Sequence, residues 1–118
     1  MIKSYRDLEV YQDSYHLAKQ IYLIARRFPN HEQYVIGNQL RRAALSIPLN
    51  IAEGNGKKQS SAEFKRFLQI AAGSCNEVEV LLDFIFDLEC ISQREHHSFL
   101  EGYKKLGKQL NTLHKKWV

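Results

Sequence analysis

The residues best placed to do chemistry are paired cations. Arg26-Arg27, Arg41-Arg42, Lys57-Lys58 and Lys65-Arg66 are adjacent pairs, and Lys104, Lys105 and Lys108 crowd one late stretch. Arginine and lysine in such groups suit phosphate: the guanidinium forks onto two oxygens and the ammonium acts as a point charge. Catalytic patterns are weaker. His96 and His97 are neighbours that point about 100° apart on a helix, so they cannot share a metal ion from one helix. No Glu-x-x-His pair of the di-iron bundles occurs. Cys75 has no base or helix N-terminus beside it to activate a thiolate. Arg42, Glu53 and Glu77 have the types needed for acid–base work, but structural salt bridging is the plainer reading of such a set. These residues point to binding, with no enzyme, no cofactor and no metal.

The stretch Gln39–Gly56, QLRRAALSIPLNIAEGNG, organises the rest. At about 100° per residue, Gln39, Arg42, Ser46, Asn50 and Glu53 fall within a sector of roughly 60°. Apolar residues spread over much of the remaining surface. A polar seam flanked in this way is expected to be partly buried, so its groups need partners. Arg42 and Glu53 are about 16 Å apart along a helix and cannot pair with each other. The partners are expected on other helices or other subunits, so the set reads as a polar seam or subunit interface: Ser74 and Glu77 offer polar partners, with Glu77 the candidate for Arg41 or Arg42. Pro48 removes a backbone donor inside this stretch, which predicts a kink or a break.

Four helices are expected to carry these residues. The first runs from about Arg6 to Phe28 on stripes of 3 and 4 spacing, with Arg26 and Arg27 in its last turn. A connection, NHEQYVI, leads to Gly37 or Asn38 as N-cap of the second helix. That helix stops near Gly54 and Gly56, before a basic loop at Lys57-Lys58. Ser60-Ser61-Ala62-Glu63 reads as a capping box for a long third helix, Ser61 to Glu89. Its apolar arc spans close to 200°, about twice what a lone surface helix needs, so a second buried surface and an oligomer are expected. Gly73 costs about 1 kcal/mol there against alanine and is explained if another backbone passes close. Ser92-Gln93-Arg94-Glu95 opens the fourth helix, where Phe99, Tyr103, Leu106, Leu110, Leu113 and Trp117 repeat at coiled-coil spacing. The expected architecture is one all-α domain over residues 1–118: an antiparallel up-down-up-down four-helix bundle with a kinked second helix.

Two segments carry a resemblance. SIPLNIAEG (Ser46–Gly54) and FLQIAAGSCNE (Phe67–Glu77) resemble the four-helix-bundle family of 23S rRNA intervening-sequence proteins, from Leu8 to about Ile91. Accessory proteins of diversity-generating retroelements are distant relatives of that family. One departure is Asn55-Gly56-Lys57-Lys58, where family members often carry an aromatic residue and an arginine. The resemblance implies a homopentamer and a bacterial protein of the rRNA-gene intervening sequences. Through the accessory relatives it also implies contact with nucleic acid and a reverse transcriptase.

Composition agrees with a binding role. The 118 residues hold 17 Lys and Arg against 13 acids, a net charge of +4. Five chains at +4 each would make a particle of about +20, able to bind RNA or DNA backbone through counterion release with little sequence specificity. The alternative is a protein-interaction adaptor, for example for a reverse transcriptase. No secretory signal or run of about 20 apolar residues is present. Cys75 and Cys90, placed on one helix and about 22 Å apart, cannot bridge. A reduced, cytoplasmic protein is expected.

Overall fold

The computed structural model describes residues 2–117. Four long helices make up the chain: α1 (Glu9–Ala25), α2 (Asn38–Gly56), α3 (Ser61–Asp87) and α4 (Gln93–Lys116). Consecutive helices pack side by side, and α4 returns to α1 more sparsely. Contacts between helix ends give the direction of each helix. The end of α1 meets the start of α4 through Arg27 and Glu95. The end of α4 meets the start of α1, where Gln109 Nε2 donates to Glu9 at 3.2 Å and Asp13 at 3.3 Å. Phe64 and Trp117 cross with ring centroids 4.4 Å apart, joining the start of α3 to the end of α4. The result is the antiparallel up-down-up-down bundle, 45 × 22 × 21 Å along its principal axes.

The core follows the 3–4 spacing. Ile21, Leu40, Ile47, Phe64, Leu82 and Leu110 are fully buried, one or two from each helix. Each such side chain contributes about 1.5–3 kcal/mol by leaving water. Tyr103 is also fully buried, and its hydroxyl has no hydrogen-bond partner among the described residues. Burial first, and the nearby Cys75 second, push its pKa far above the ordinary tyrosine range.

Several boundaries differ from the sequence expectation, each for a local reason. The first helix begins at Glu9, not Arg6. A separate 3-10 turn, Tyr5–Asp7, is capped by Ser4 and Asp7 reciprocally, and Leu8 is extended. The helix also stops earlier, at Ala25, short of the expected Phe28. The connection NHEQYVI is itself helical. Pro29 precedes a helical turn, Asn30–Glu32, and a π-helical turn, Gln33–Gly37, runs straight into α2. Gly37 stands at the N-cap position of α2, as expected, but with helical angles and no side-chain cap. Gln33 fastens this turn, its Nε2 donating to the carbonyls of Arg26 at 3.1 Å and Phe28 at 2.9 Å.

Pro48 lies buried inside α2, and the helix neither ends nor restarts there. Ser60 accepts from the Glu63 N–H at 3.3 Å, but the Glu63 carboxylate turns to Arg66, so only half of the expected capping box forms. At Ser92 and Glu95 both halves form. The third helix ends at Asp87 rather than Glu89, and Glu89 takes a left-handed φ of 63° in the turn. Cys90 lies in that turn rather than on the helix with Cys75; both thiols are free.

Candidate nucleic-acid interface

The antiparallel topology sorts the basic candidates by end of the bundle. Lys57, Lys58, Lys65 and Arg66 lie where α2 ends and α3 starts. The lysine-rich second half of α4 reaches the same end, as the Phe64–Trp117 contact shows. Arg26, Arg27, Arg41 and Arg42 lie towards the opposite end, where α1 stops and α2 starts. Helix α3, with 27 residues, separates the ends by about 40 Å. The candidates therefore do not form one patch.

Their pairing differs as much as their position. Arg27 is neutralised by Glu95. The Ser92 backbone N–H first, and then Arg27, hold the Glu95 carboxyl below the usual carboxylate range. Lys57 sits 3.6 Å from Glu53 and over the Phe67 ring at 5.0 Å. Arg66 pairs with Glu63 at 2.9 Å and covers the other part of Phe67 at 4.5 Å. That pairing lowers the Glu63 pKa and raises that of Arg66. Phe67 thus carries the charged heads of two cations over its ring.

By contrast, Arg26, Lys58, Lys65, Lys104, Lys105 and Lys108 have no carboxylate partner among the described residues. Lys105 and Lys108, with Lys116, rim a groove of about 400 Å³ between the start of α1 and the end of α4. Leu8, Val10 and Leu113 line its apolar wall. Lys116 is not among the candidates named from the sequence; its spacing from Lys105 and Lys108 along α4 is the signal that adds it to this rim. Free cations along a groove supply the positive field that a phosphate backbone needs.

Arg41 is different again. Its guanidinium donates to Gln33 Oε1 at 2.7 Å and Asn38 Oδ1 at 3.1 Å. It lies 5.9 Å from the centre of the Tyr22 ring. Gly37 leaves room for it, since a Cβ there would stand 3.2 Å from Nη1. Arg41 is therefore a fastener of the π-helical turn, and Glu77 is not its partner.

The polar seam forms only at its centre. Ser46 Oγ lies 3.0 Å from Ser74 Oγ, and Asn50 Nδ2 donates to Ser46 Oγ at 3.0 Å and to the Ser46 carbonyl at 2.8 Å. Gln39, Arg42 and Glu53 are exposed rather than partly buried. The expected Arg42–Glu77 pair is not made: among the described residues neither side chain has an ion pair or hydrogen bond. Both are exposed, on adjacent helices.

Among the described residues no group of His, Cys, Asp and Glu is arranged to hold a metal. His96 Nε2 lies 2.7 Å from Asp83 Oδ1, and its ring stacks on Phe86 at 4.6 Å. This contact pins α4 to α3. Cys75 is buried and its thiol pKa is pushed up to about 12 by burial first and Glu79 second. No helix among the described residues is long and apolar enough to cross a membrane.

The 23S rRNA-intervening sequence protein family matches the chain over residues 6–112. Among solved structures, a protein of unknown function of the S23 ribosomal protein family, from Bacteroides thetaiotaomicron, is similar. It is 28% identical, with a TM-score of 0.83; the match covers 91% of this chain and 96% of that one. No curated protein matches this chain.

Proposed function

The chain belongs to the 23S rRNA-intervening sequence protein family, and from that premise we propose that it is a non-enzymatic, basic, self-associating scaffold that binds RNA or DNA backbone with low sequence specificity. The observation that carries this reading is the run of lysines on α4, Lys104, Lys105 and Lys108, of which Lys105 and Lys108 stand at the edge of the α1–α4 groove. These ammonium groups lack carboxylate partners among the described residues, so binding a phosphate chain to them breaks no ion pair there. They lie on one helix, so they can follow a backbone rather than read bases. Self-association would repeat the row on one particle and raise avidity without any new contact. Both cysteines are free, which supports a place in the reducing cytoplasm.

A second reading, a protein adaptor, draws on the apolar wall of the same groove. Salt separates the two: phosphate binding falls steeply with ionic strength, and docking on an apolar wall does not. The test is light scattering coupled to size exclusion with a short structured RNA, at about 50 and 200 mM salt. Uptake of RNA at the lower salt and its loss at the higher supports the phosphate reading. No uptake at either salt removes it.

A further inference from the structure

One side of α1 carries a file of residues that neither the core nor the lysine row uses. At about 100° per residue, Tyr11, Tyr15, Lys19, Tyr22 and Arg26 fall within a sector of roughly 80°. Their spacings are 4, 4, 3 and 4, so each stands one turn from the next. Tyr15 and Tyr22 are exposed by 53% and 39%. Lys19 and Arg26 are exposed and have no ion pair among the described residues. No acid enters the sector. The acids of α1, Glu9 and Asp13, accept from Gln109 on the side that meets α4. The file itself lies on the α2 side, as the Tyr22–Arg41 contact shows.

The file is braced at its start and extended at its end. Tyr5 meets Tyr11 edge-on with ring centroids 4.8 Å apart, and Tyr11 lies 5.9 Å from Tyr15. Tyr15 is thus held by packing on one side and open to solvent on the other. At the far end, the Arg41 guanidinium near Tyr22 also lines a polar pocket of about 460 Å³ with Asn30, Gln33, Tyr34 and Asn38. Tyr34 is 81% exposed there. Glu32, beside this pocket, is turned to His31 at 3.2 Å. The side-chain amide of Asn30 has no partner among the described residues.

We infer that this file is a stacking track for a single strand of RNA, running along α1 from Tyr15 past Tyr22 to Tyr34. The inference rests on the nucleic-acid reading above and names a second contact, with unpaired bases, on a different face from the α4 row. The occupant follows from charge and ring complementarity. Every base has a π-face, so tyrosine rings and the planar Arg41 guanidinium hold bases without reading their sequence. Lys19 and Arg26, interleaved with the rings, meet the phosphates between those bases. A duplex has its bases already stacked and offers no free faces to such a file. The bracing of Tyr15 by Tyr11 and Tyr5 leaves less side-chain freedom to lose on binding. The free amide of Asn30 offers a donor and an acceptor, the match for a ribose 2′-hydroxyl, which DNA lacks.

The test is fluorescence anisotropy with a labelled, unstructured RNA of about eight nucleotides, across a salt series, with helix content by circular dichroism. Tyr15→Ala and Tyr34→Ala should each lower affinity on the order of tenfold at every salt. The slope of log K against log salt should not change, since a ring releases no counterion. Tyr15→Phe and Tyr34→Phe should keep the wild-type affinity. The duplex of the same sequence should bind all four variants alike. A DNA strand of that sequence should bind the wild type more weakly, and Asn30→Ala should remove the difference. Alanine variants that bind the strand as the wild type does would overturn the track. So would phenylalanine variants that lose affinity, or a duplex that responds as the strand does. DNA bound as tightly as RNA would overturn the assignment to RNA. The α4 row is read in parallel with K104Q, K105Q and K108Q combined. A reduced slope there, with tyrosine variants unchanged, keeps the lysine row and removes the track. The opposite result keeps the track and removes the row.

Discussion

Ser46 Oγ and Ser74 Oγ lie 3.0 Å apart, and the Asn50 amide closes on the same Ser46 oxygen. They are the polar centre of an otherwise apolar α2–α3 contact, and Ser74 is buried. Apolar ridges tolerate small slips; a hydroxyl pair with fixed geometry does not. Ser74→Ala removes one side of this pair and leaves the Ser46 hydroxyl with Asn50 alone. The expected loss is about 1 kcal/mol of unfolding free energy with an unchanged denaturant slope. Urea denaturation checks it; an unchanged midpoint would show that the pair is incidental.

Two glycines inside helices should respond to alanine with opposite signs. At Gly54 an added Cβ would stand 2.7 Å from Phe67 Cβ and 3.3 Å from the Phe64 ring. Both aromatics are buried and cannot give way. Gly54→Ala should therefore cost about 1–3 kcal/mol despite the better helix propensity. At Gly73 the space is open within the chain, so Gly73→Ala should stabilise the isolated chain by up to about 1 kcal/mol. The same change should weaken self-association, because it fills the space expected to admit a second backbone. Thermal unfolding of both variants, at low and high protein concentration, separates the two effects.

Helix number, order and topology were legible because they rest on long periodic stripes and on Ser92–Glu95, a cap with both halves formed. The lead into α2 was not legible. Its π-helical turn depends on Gln33 reaching back to the carbonyls of Arg26 and Phe28, a tertiary choice that leaves no period in the sequence. Asn and Gly near positions 37 and 38 looked like punctuation, yet Gly37 is there to seat the Arg41 guanidinium. The seam was half legible. Ser46 and Asn50 of its polar file meet Ser74 of the neighbouring helix. The sequence could not say that Arg42 and Glu77 are exposed, because helical phase alone does not tell a groove from an outer face. For the basic candidates, position along the chain was visible, but neutralisation was not. Glu95 comes 68 residues after Arg27 and reaches it only through the antiparallel fold.

The two thiols should differ in reactivity. Cys75 is buried with its pKa pushed up to about 12, so at pH 8 almost none of it is thiolate. Cys90 is only partly buried; its pKa is also raised, by burial first and Glu32 second. Ellman's reagent at pH 8 should label one thiol per folded chain, Cys90, and the second only in denaturant. The Cys90 rate should rise with pH, since deprotonation supplies the nucleophile. Two fast thiols in the folded chain would contradict the burial of Cys75.

The lysine row and the paired cations should contribute unequally to RNA binding. Lys104, Lys105 and Lys108 have no carboxylate to release among the described residues, so each phosphate contact they make gains its full counterion term. Replacing all three by Gln should lower low-salt affinity and reduce the slope of log K against log salt by about 2, from roughly 0.7 per single-strand contact. Arg27→Gln and Arg66→Gln remove cations already held by Glu95 and Glu63. Each substitution also frees a carboxylate, so affinity should fall through repulsion while the slope changes little. The measurement is a salt titration of fluorescence anisotropy with one labelled RNA across the three variants. Equal slope changes would mean that the phosphate chain reaches the paired cations as readily as the free row, and that the α4 row is not the track.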